Sequence, residues 1–425
     1  MSLRSRFRVK YAVLFINWLG WLFSFLDRMA MTLALPFIGK ELHLTAKAQG
    51  AILSAFFIGY AFSQIPGGIL ADRFGARRLM AMAITWWSVF TAITGVVVSY
   101  PLLLVCRCIF GIGEGCYPGA SWKNLVEYFP PRQRATAGAI KSSVNTIGPA
   151  ISSLVAAAMI AAYGWRHLFL LLSIPGILIA VGIWIYCKDN PAEHPHISQQ
   201  ELAELKQPTA RATAAGTAGD SRITFRQFLK KPILWQLLSV WFLFDITFWG
   251  FVSWLPSYLM KVRKFSLLQT GVSGSIPFFV GMAGMLAGGY LSDHMQGQRK
   301  WLYIPSALIG ALFLYLTFRV ESARMAVVFQ SVSAFFMLMC LAVFWGLVLD
   351  LVPDHIMGSS SGTVNFGGQV AGAISPFLMG YLIDLNKGAF DAAFSLLILS
   401  IIASSAVALT VRQKRTSRVA PASAF

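Results

Sequence analysis

The segment GGILADRFGARR (67–78) interrupts two apolar runs with an acid, three arginines within reach of one turn, and a glycine between them. Gly75 permits a tight reversal, and Asp72 can pair with the basic cluster or cap a neighbouring helix end. A related segment, GGYLSDHMQGQRK (288–300), lies in the second half of the chain, and aligning Asp72 with Asp293 gives an offset of 221 residues. At an offset of 220, Gly138, Asn145 and Gly148 fall on Gly358, Asn365 and Gly368. Two matches at almost the same spacing are an internal repeat.

The surroundings of these segments set the solvent. Of 425 residues, 56% are hydrophobic and 12% charged, about half the charge of a soluble domain. The apolar residues gather in blocks long enough for helices to cross hydrocarbon. We read spans at 11–36, 50–71, 78–98, 101–127, 135–160 and 166–187, then 232–260, 270–292, 301–319, 324–350, 359–384 and 390–411. The expected fold is an all-α membrane protein with twelve transmembrane helices in two six-helix bundles, 1–187 and 232–425. Between them, 188–231 is polar: SQQELAELK (198–206) suits a surface helix, and PTARATAAGTAGD (208–220) reads as flexible linker.

A net charge of +18 raises nucleic-acid binding, but its distribution argues for topology instead. On this span reading 22 of the 35 Lys and Arg fall in the termini and even-to-odd connections, nine on the other side and four within spans. That asymmetry places both termini in the cytoplasm. The apolar stretch after MSLRSRFRVK is too long for a signal-peptide core and lacks a small-residue cleavage site, so MSLRSRFRVK is read as a retained cytoplasmic tail. Five cysteines without metal spacing give no disulfide framework. No nucleophile–base pair, cofactor motif or metal motif appears, so an enzyme is not expected, nor is a cofactor.

The pattern Gly68-x3-Asp72-Arg73-x-Gly75-x-Arg77-Arg78 is similar to the loop 2–3 signature of major facilitator transporters. Those proteins pair two repeated bundles about a site at mid-depth. By that resemblance Asp72, Arg73 and Arg77 form a cytoplasmic gate that releases during alternating access.

Within the spans, FLDRMAMT (25–32) holds Asp27 and Arg28, span 4 holds Arg107 and Glu114, and span 7 holds Asp245. Each such charge costs about 2.5–3.5 kcal/mol at the bilayer centre on insertion scales, so it needs a partner or a function. At 1.5 Å per residue, Asp27 lies about 24 Å along span 1 and Arg107 about 10 Å into the antiparallel span 4, at nearly equal depth. Glu114 lies two turns deeper on the face of Arg107. The expectation is a ladder with Asp27, Arg28 and Arg107 above and Glu114 below. It serves either as static ion pairs or as a device in which arginine holds an anion and an acid binds a proton. Arginine keeps its charge and offers a planar fork to carboxylate. An acid deprived of its cation by a bound anion protonates more readily.

Asp27-Arg28, Arg107-x6-Glu114, FFIGYAFSQIPGG (56–68), SWLPSYL (253–259) and GTVNFGGQVAG (362–372) resemble the anion:cation symporter family within that superfamily. The resemblance covers nearly the whole chain and implies proton-coupled uptake of a small organic anion, a sugar acid, across a bacterial inner membrane. It implies that Asp27 and Glu114 carry protons, that Arg107 is the main anion ligand, and that Arg28 is its charge partner or a second ligand. Tyr60, Asn145 and Asn365 match polar positions of the family's cavity, with Trp345 and Gln369 as further candidates. The expected partners are the anion, protons and lipid around a monomer. Phe25 stands where sugar-acid members often carry tyrosine, which keeps an aromatic or other monocarboxylate open as a substrate. A drug antiporter is disfavoured by the paired arginines. Lys141 and Asp245 depart from the family pattern. Lys141 reaches the interface or faces Asp245, and Asp245 otherwise meets a cationic substrate group, a proton or a helix end.

Overall fold

The computed structural model describes residues 8–206, 224–295, 297–353 and 356–413; the predicted flexible linker 208–220 and the basic start 1–7 lie outside the described residues. The described residues are helical, with no strand among them. In chain order the first helices are α1 (Val9–Glu41), α2 (Ala46–Phe74), α3 (Ala76–Val96), α4 (Tyr100–Tyr128), α5 (Pro131–Ser142) and α6 (Val144–Tyr186). Two short polar helices follow, α7 (Gln199–Lys206) and α8 (Phe225–Phe228). Then come α9 (Pro232–Lys261), α10 (Leu267–His294), α11 (Lys300–Arg319), α12 (Ala323–Leu351), α13 (Met357–Leu385) and α14 (Asp391–Thr410).

Eleven stretches of the described residues are long and apolar enough to cross a bilayer. One of them, Thr136–Tyr186, holds two crossings: its 51 residues far exceed the roughly 20 that a single span requires. The break is Gly164, at φ 78° and ψ 165°, a backbone conformation that a side chain disfavours. The described residues therefore hold twelve apolar segments, none of them supplied by α7 or α8. The surface helix expected at 198–206 is α7.

The chain forms two compact units. One comprises Met1–Ser221, Trp249–Ser275 and Gly372–Ala393; the other comprises Arg222–Phe248, Ile276–Ala371 and Phe394–Phe425. In the first unit α1 packs on α6, α3 on α4 and α6, and α2 on α4. Glycines set the last contact. A Cβ at Gly59 would strike the Cys108 carbonyl, and one at Gly111 would strike the Phe56 carbonyl, so the two backbones meet directly. This is the small-residue packing that lipid solvent favours, because apolar burial gives no preference for helix over lipid there. Phe56, Tyr60, Trp87, Phe110 and Tyr117 fill the adjoining core. In the second unit α11 packs on α12, and Trp241, Phe244, Tyr303 and Phe344 build the core.

The repeated loops fold around their glycines. Gly75 takes φ 90° between α2 and α3, and a Cβ there would also collide with the Asp189 carboxylate. Asp189 accepts from the Arg77 backbone N–H at 2.7 Å, capping the start of α3. Asp72, with its side chain 82% exposed, pairs with Lys123 of α4 at 3.4 Å. Its partner is thus outside the motif, and the helix cap comes from Asp189 instead. In the second unit Gly297 takes φ 73°, and the buried Arg299 lies 3.8 Å from Asp293 and 3.4 Å from Asp350. Both loops therefore use a glycine with positive φ and an acid–base contact to the adjacent helix.

Candidate functional site

Asp27 and Arg28 are neighbours on α1, so their side chains leave the helix about 100° apart and cannot share one partner. Arg28 turns to α4. Its Nε donates to Glu114 Oε1 at 2.6 Å, and its terminal nitrogen forms an ion pair with the same oxygen. Ser24, four residues before Arg28 and on the same face, donates its hydroxyl to that oxygen as well. Glu114 Oε2 has no hydrogen-bond partner among the described residues. The Arg28 guanidinium lies over the rings of Phe25, Phe56, Tyr60 and Trp249, with centroids 4.9–5.9 Å away.

Asp27 is buried towards α3 and α4, beside the Thr91 hydroxyl, with Glu114 and Arg107 as the charged groups near it. Its Oδ1 has no hydrogen-bond partner among the described residues. Arg107 is 2% exposed and lies over Phe110 at 4.3 Å and Phe56 at 5.3 Å. No ion pair or hydrogen bond engages its fork among the described residues, and its Nε is buried without an acceptor. Phe56 is thus held between two guanidinium groups, each drawn to the negative face of its ring.

Arg28 and Arg107 line one cavity of about 20 Å³, which suits a water molecule and is far smaller than a six-carbon acid. Met29, Leu53, Phe56, Phe57, Trp249 and Val252 supply its apolar wall, and Thr32 and Ser253 add hydroxyls. One guanidinium is satisfied by a protein carboxylate, a second one is unsatisfied, and little else is polar, an arrangement that can hold an anion.

Arithmetic along the helices placed Asp27, Arg28 and Arg107 at one depth with Glu114 two turns below, and missed how they pair. The carboxylate bound by Arg28 is Glu114, and Asp27 is left beside Arg107. Ser24, Phe56, Thr32 and Ser253 were missed; only the position of Ser24 on the Arg28 face of α1 signalled it. Tyr60 is buried beneath Arg28. Asn145, also in the first unit, is exposed.

In the second unit Asn365 is half-buried and Gln369 is buried, with its Oε1 lacking a partner among the described residues. Trp345 is half-buried and meets Trp241 edge-on at 5.2 Å. Asp245 is buried against Gly368, where a Cβ would collide with its Oδ2 and lie 2.5 Å from Trp241 Nε1. It forms no ion pair among the described residues, and no carboxylate lies within ion-pair distance of Lys141.

Residues 18–376 match the family model of the Major Facilitator Superfamily. The chain belongs to this superfamily. This facilitator is 30% identical over 413 residues to the hexuronate transporter of Bacillus subtilis strain 168, covering 95% of each chain. It is 31% identical over 401 residues to the probable sulfoacetate transporter SauU of Cupriavidus necator, covering 92% of this chain and 91% of that one. Its fold matches the crystal structure of a bacterial homologue of the human lysosomal transporter Spinster, with TM-score 0.71 and 22% identity over 94% of this chain and 95% of that chain. The facilitator is thus a multi-pass membrane transporter and not an enzyme.

Proposed function

We propose that this protein takes up a small organic anion, a sugar acid, together with protons by alternating access. The observation that carries the reading is Arg107: a buried, permanently charged fork without a protein acceptor, beside a second arginine that already holds one. Desolvating a guanidinium is unfavourable unless an anion completes it, and a carboxylate fits its two parallel donors. Hexuronate, galactarate or glucarate and sulfoacetate, the substrates named for relatives of similar length, all carry such a group.

Asp27 and Glu114 are the proton carriers of this reading. With two acids and two arginines the cluster is formally neutral when all four are ionised. A monoanion adds one negative charge, and one proton on Glu114 or Asp27 cancels it. Substrate that draws Arg28 away also leaves Glu114 without its cation, so anion binding and protonation assist each other, and the linkage is reciprocal. Tyr60, Asn145, Asn365, Trp345 and Gln369 would contact the rest of the substrate. The bundles 1–187 and 232–425 would rock about the site in an inner membrane, with both termini cytoplasmic, in a monomer. Asp72, Arg73 and Arg77 would gate the cytoplasmic end.

A second reading has one observation in its favour. The wall of Phe56, Phe57 and Trp249, with Phe25 close by, offers few partners for sugar hydroxyls and suits a monocarboxylate with an apolar or aromatic body. Counterflow in proteoliposomes with radiolabelled D-glucuronate, sulfoacetate and benzoate decides between them. Exchange of glucuronate at micromolar to millimolar concentrations supports the first reading, exchange of benzoate alone supports the second, and exchange of none removes both.

A further inference from the structure

Lys141 stands in the last turn of α5, 2% exposed, with its Nζ lacking any acceptor among the described residues. The ammonium lies 4.1 Å from the Trp122 ring of α4 and 5.6 Å from the Trp21 ring of α1. Two indole faces offset part of the desolvation of a cation, but neither supplies a counter-charge.

The sequence leaves few sources for one. From 131 to 186 there is no acid at all, and α1 carries none between its start and Asp27. On α4, Lys123 is drawn to the Ala71 carbonyl at 2.9 Å and to Asp72. Glu127, further along α4, has Lys123 and Asp189 as its charged neighbours. Trp21 Nε1 is a second buried donor without an acceptor at the same place; further along α4 the unpaired Asn124 Nδ2 and Glu127 Oε2 lie beside each other and offset one another. Around Lys141 and Trp21 themselves the excess is of donors, which calls for an anion.

The position of this cluster gives it a purpose. Trp21, Ser24 and Arg28 follow one another at spacings of three and four on one face of α1, so Trp21 lies about 10 Å from Arg28 towards the helix start. Lys141 therefore forms a second positive station two turns from the arginine clamp, on the side of α1 where α7 and the basic loop lie.

We propose that Lys141 is an inner anion-binding site: it leaves the Trp122 face to take the substrate carboxylate released from Arg107 and Arg28, with Trp21 Nε1 as a second donor. The proposal rests on the organic-anion reading above. The ligand class is a carboxylate or sulfonate small enough for the arginine clamp.

The test measures half-saturation for D-glucuronate, sulfoacetate and benzoate separately from each side, in right-side-out and inverted membrane vesicles. Lys141→Met should raise the half-saturating concentration at least about thirty-fold on the side of the α1 start, the lower end of the scale for losing one partner of a desolvated charge pair, and change the other side less than about two-fold. Lys141→Arg should recover most of the loss. Equal half-saturation for Lys141→Met and wild type on both sides overturns the proposal, as does an equal rise on both sides, which marks a packing role. Where Lys141→Met does not reach the membrane, Lys141→Gln is read by the same criteria. If wild type transports none of the three anions, the organic-anion reading falls and this site falls with it. If wild type transports one and the variants match it, only this site falls.

Discussion

Arg28 gives its Nε to Glu114 Oε1 at 2.6 Å, while Arg107, seven residues before Glu114 on the same face of α4, finds no acid of its own within ion-pair distance among the described residues. One arginine is compensated and the other is poised. On the proposed function this inequality would divide the labour at the site: Arg107 would attract the anion, and the Arg28–Glu114 pair would convert its arrival into a change in proton affinity.

Removing the charge from Glu114 separates coupling from binding. Glu114→Gln keeps the shape and a hydrogen-bond acceptor for Arg28, so substrate exchange across the membrane should continue while proton-driven accumulation is lost. Asp27→Asn should also lose accumulation. Counterflow and pH-jump uptake in the same proteoliposomes measure the two quantities. Accumulation against a gradient by both variants would remove these acids from the coupling mechanism.

Arg107→Lys retains the charge but loses the fork. Two parallel donors are replaced by one point-like ammonium on a shorter reach, so affinity should fall at least about ten-fold, or about 1.4 kcal/mol. Direct binding by isothermal calorimetry checks it, and an unchanged affinity would show that Arg107 does not hold the anion.

On the proposed function, the formally neutral cluster of Asp27, Arg28, Arg107 and Glu114 would set the charge moved per cycle. One proton should accompany each negative charge of the substrate, because a net charge in the dehydrated cluster costs several kcal/mol. Accumulation of a monoanion should therefore follow the pH gradient and ignore an imposed valinomycin–potassium potential. A marked response to that potential alone would contradict one-to-one coupling.

Gly75→Ala tests the loop between α2 and α3. At φ 90° and ψ 150° Gly75 occupies a region essentially confined to glycine, which costs a residue bearing a Cβ about 1–3 kcal/mol, and here the new carbon also displaces Asp189 from the α3 cap. The thermal midpoint should fall clearly. Asp72→Asn should shift it little, because the Asp72–Lys123 pair is exposed to solvent. Equal effects of the two substitutions would refute this assignment.

Acid should release α7 from the start of α1. Glu204 accepts from the buried Lys10 at 2.8 Å and from Arg8 at 3.0 Å, and Lys10 also reaches Gln133 at the start of α5. The Lys10 hydrogen bond holds the Glu204 carboxyl below its ordinary value of 4.5, with partial desolvation opposing it. A lowered value stabilises the docked helix above the unfolded value and is lost as pH falls through the folded one. Protection of the 199–206 amides should be level from neutrality to about pH 5 and decline below about pH 4. Hydrogen exchange, corrected for its intrinsic pH dependence, measures this, and Glu204→Gln should lower the plateau and flatten the profile. An unchanged profile in that variant would show that α7 is held by other contacts.

Several features were legible in residue order because they depend on local chemistry. Apolar blocks longer than a soluble helix requires announced the membrane, since unpaired backbone groups cannot be left in hydrocarbon. The glycine of the 67–78 turn announced a positive φ. The matched loops at 67–78 and 288–300 announced duplication. SQQELAELK announced α7 through its polar and acidic pattern. Five deep charges announced a site, because the bilayer excludes charge that has no use.

Pairing could not be read the same way. Adjacent residues on a helix diverge, so the partner of Asp27 or Arg28 depends on the rotation of α1 against α3 and α4. That rotation depends on close contacts such as Gly20 of α1 against α4, where a Cβ would collide with the Tyr117 hydroxyl. Likewise, Lys123 rather than the motif's own arginines meets Asp72, and Asp189 caps α3 from more than a hundred residues away. The sequence alone determined the membrane fold, its repeated loops and which charges lie buried in the spans. Only the tertiary structure decided which charge meets which, because an ion pair depends on a few ångströms between helices, whereas periodicity along a chain fixes depth and face.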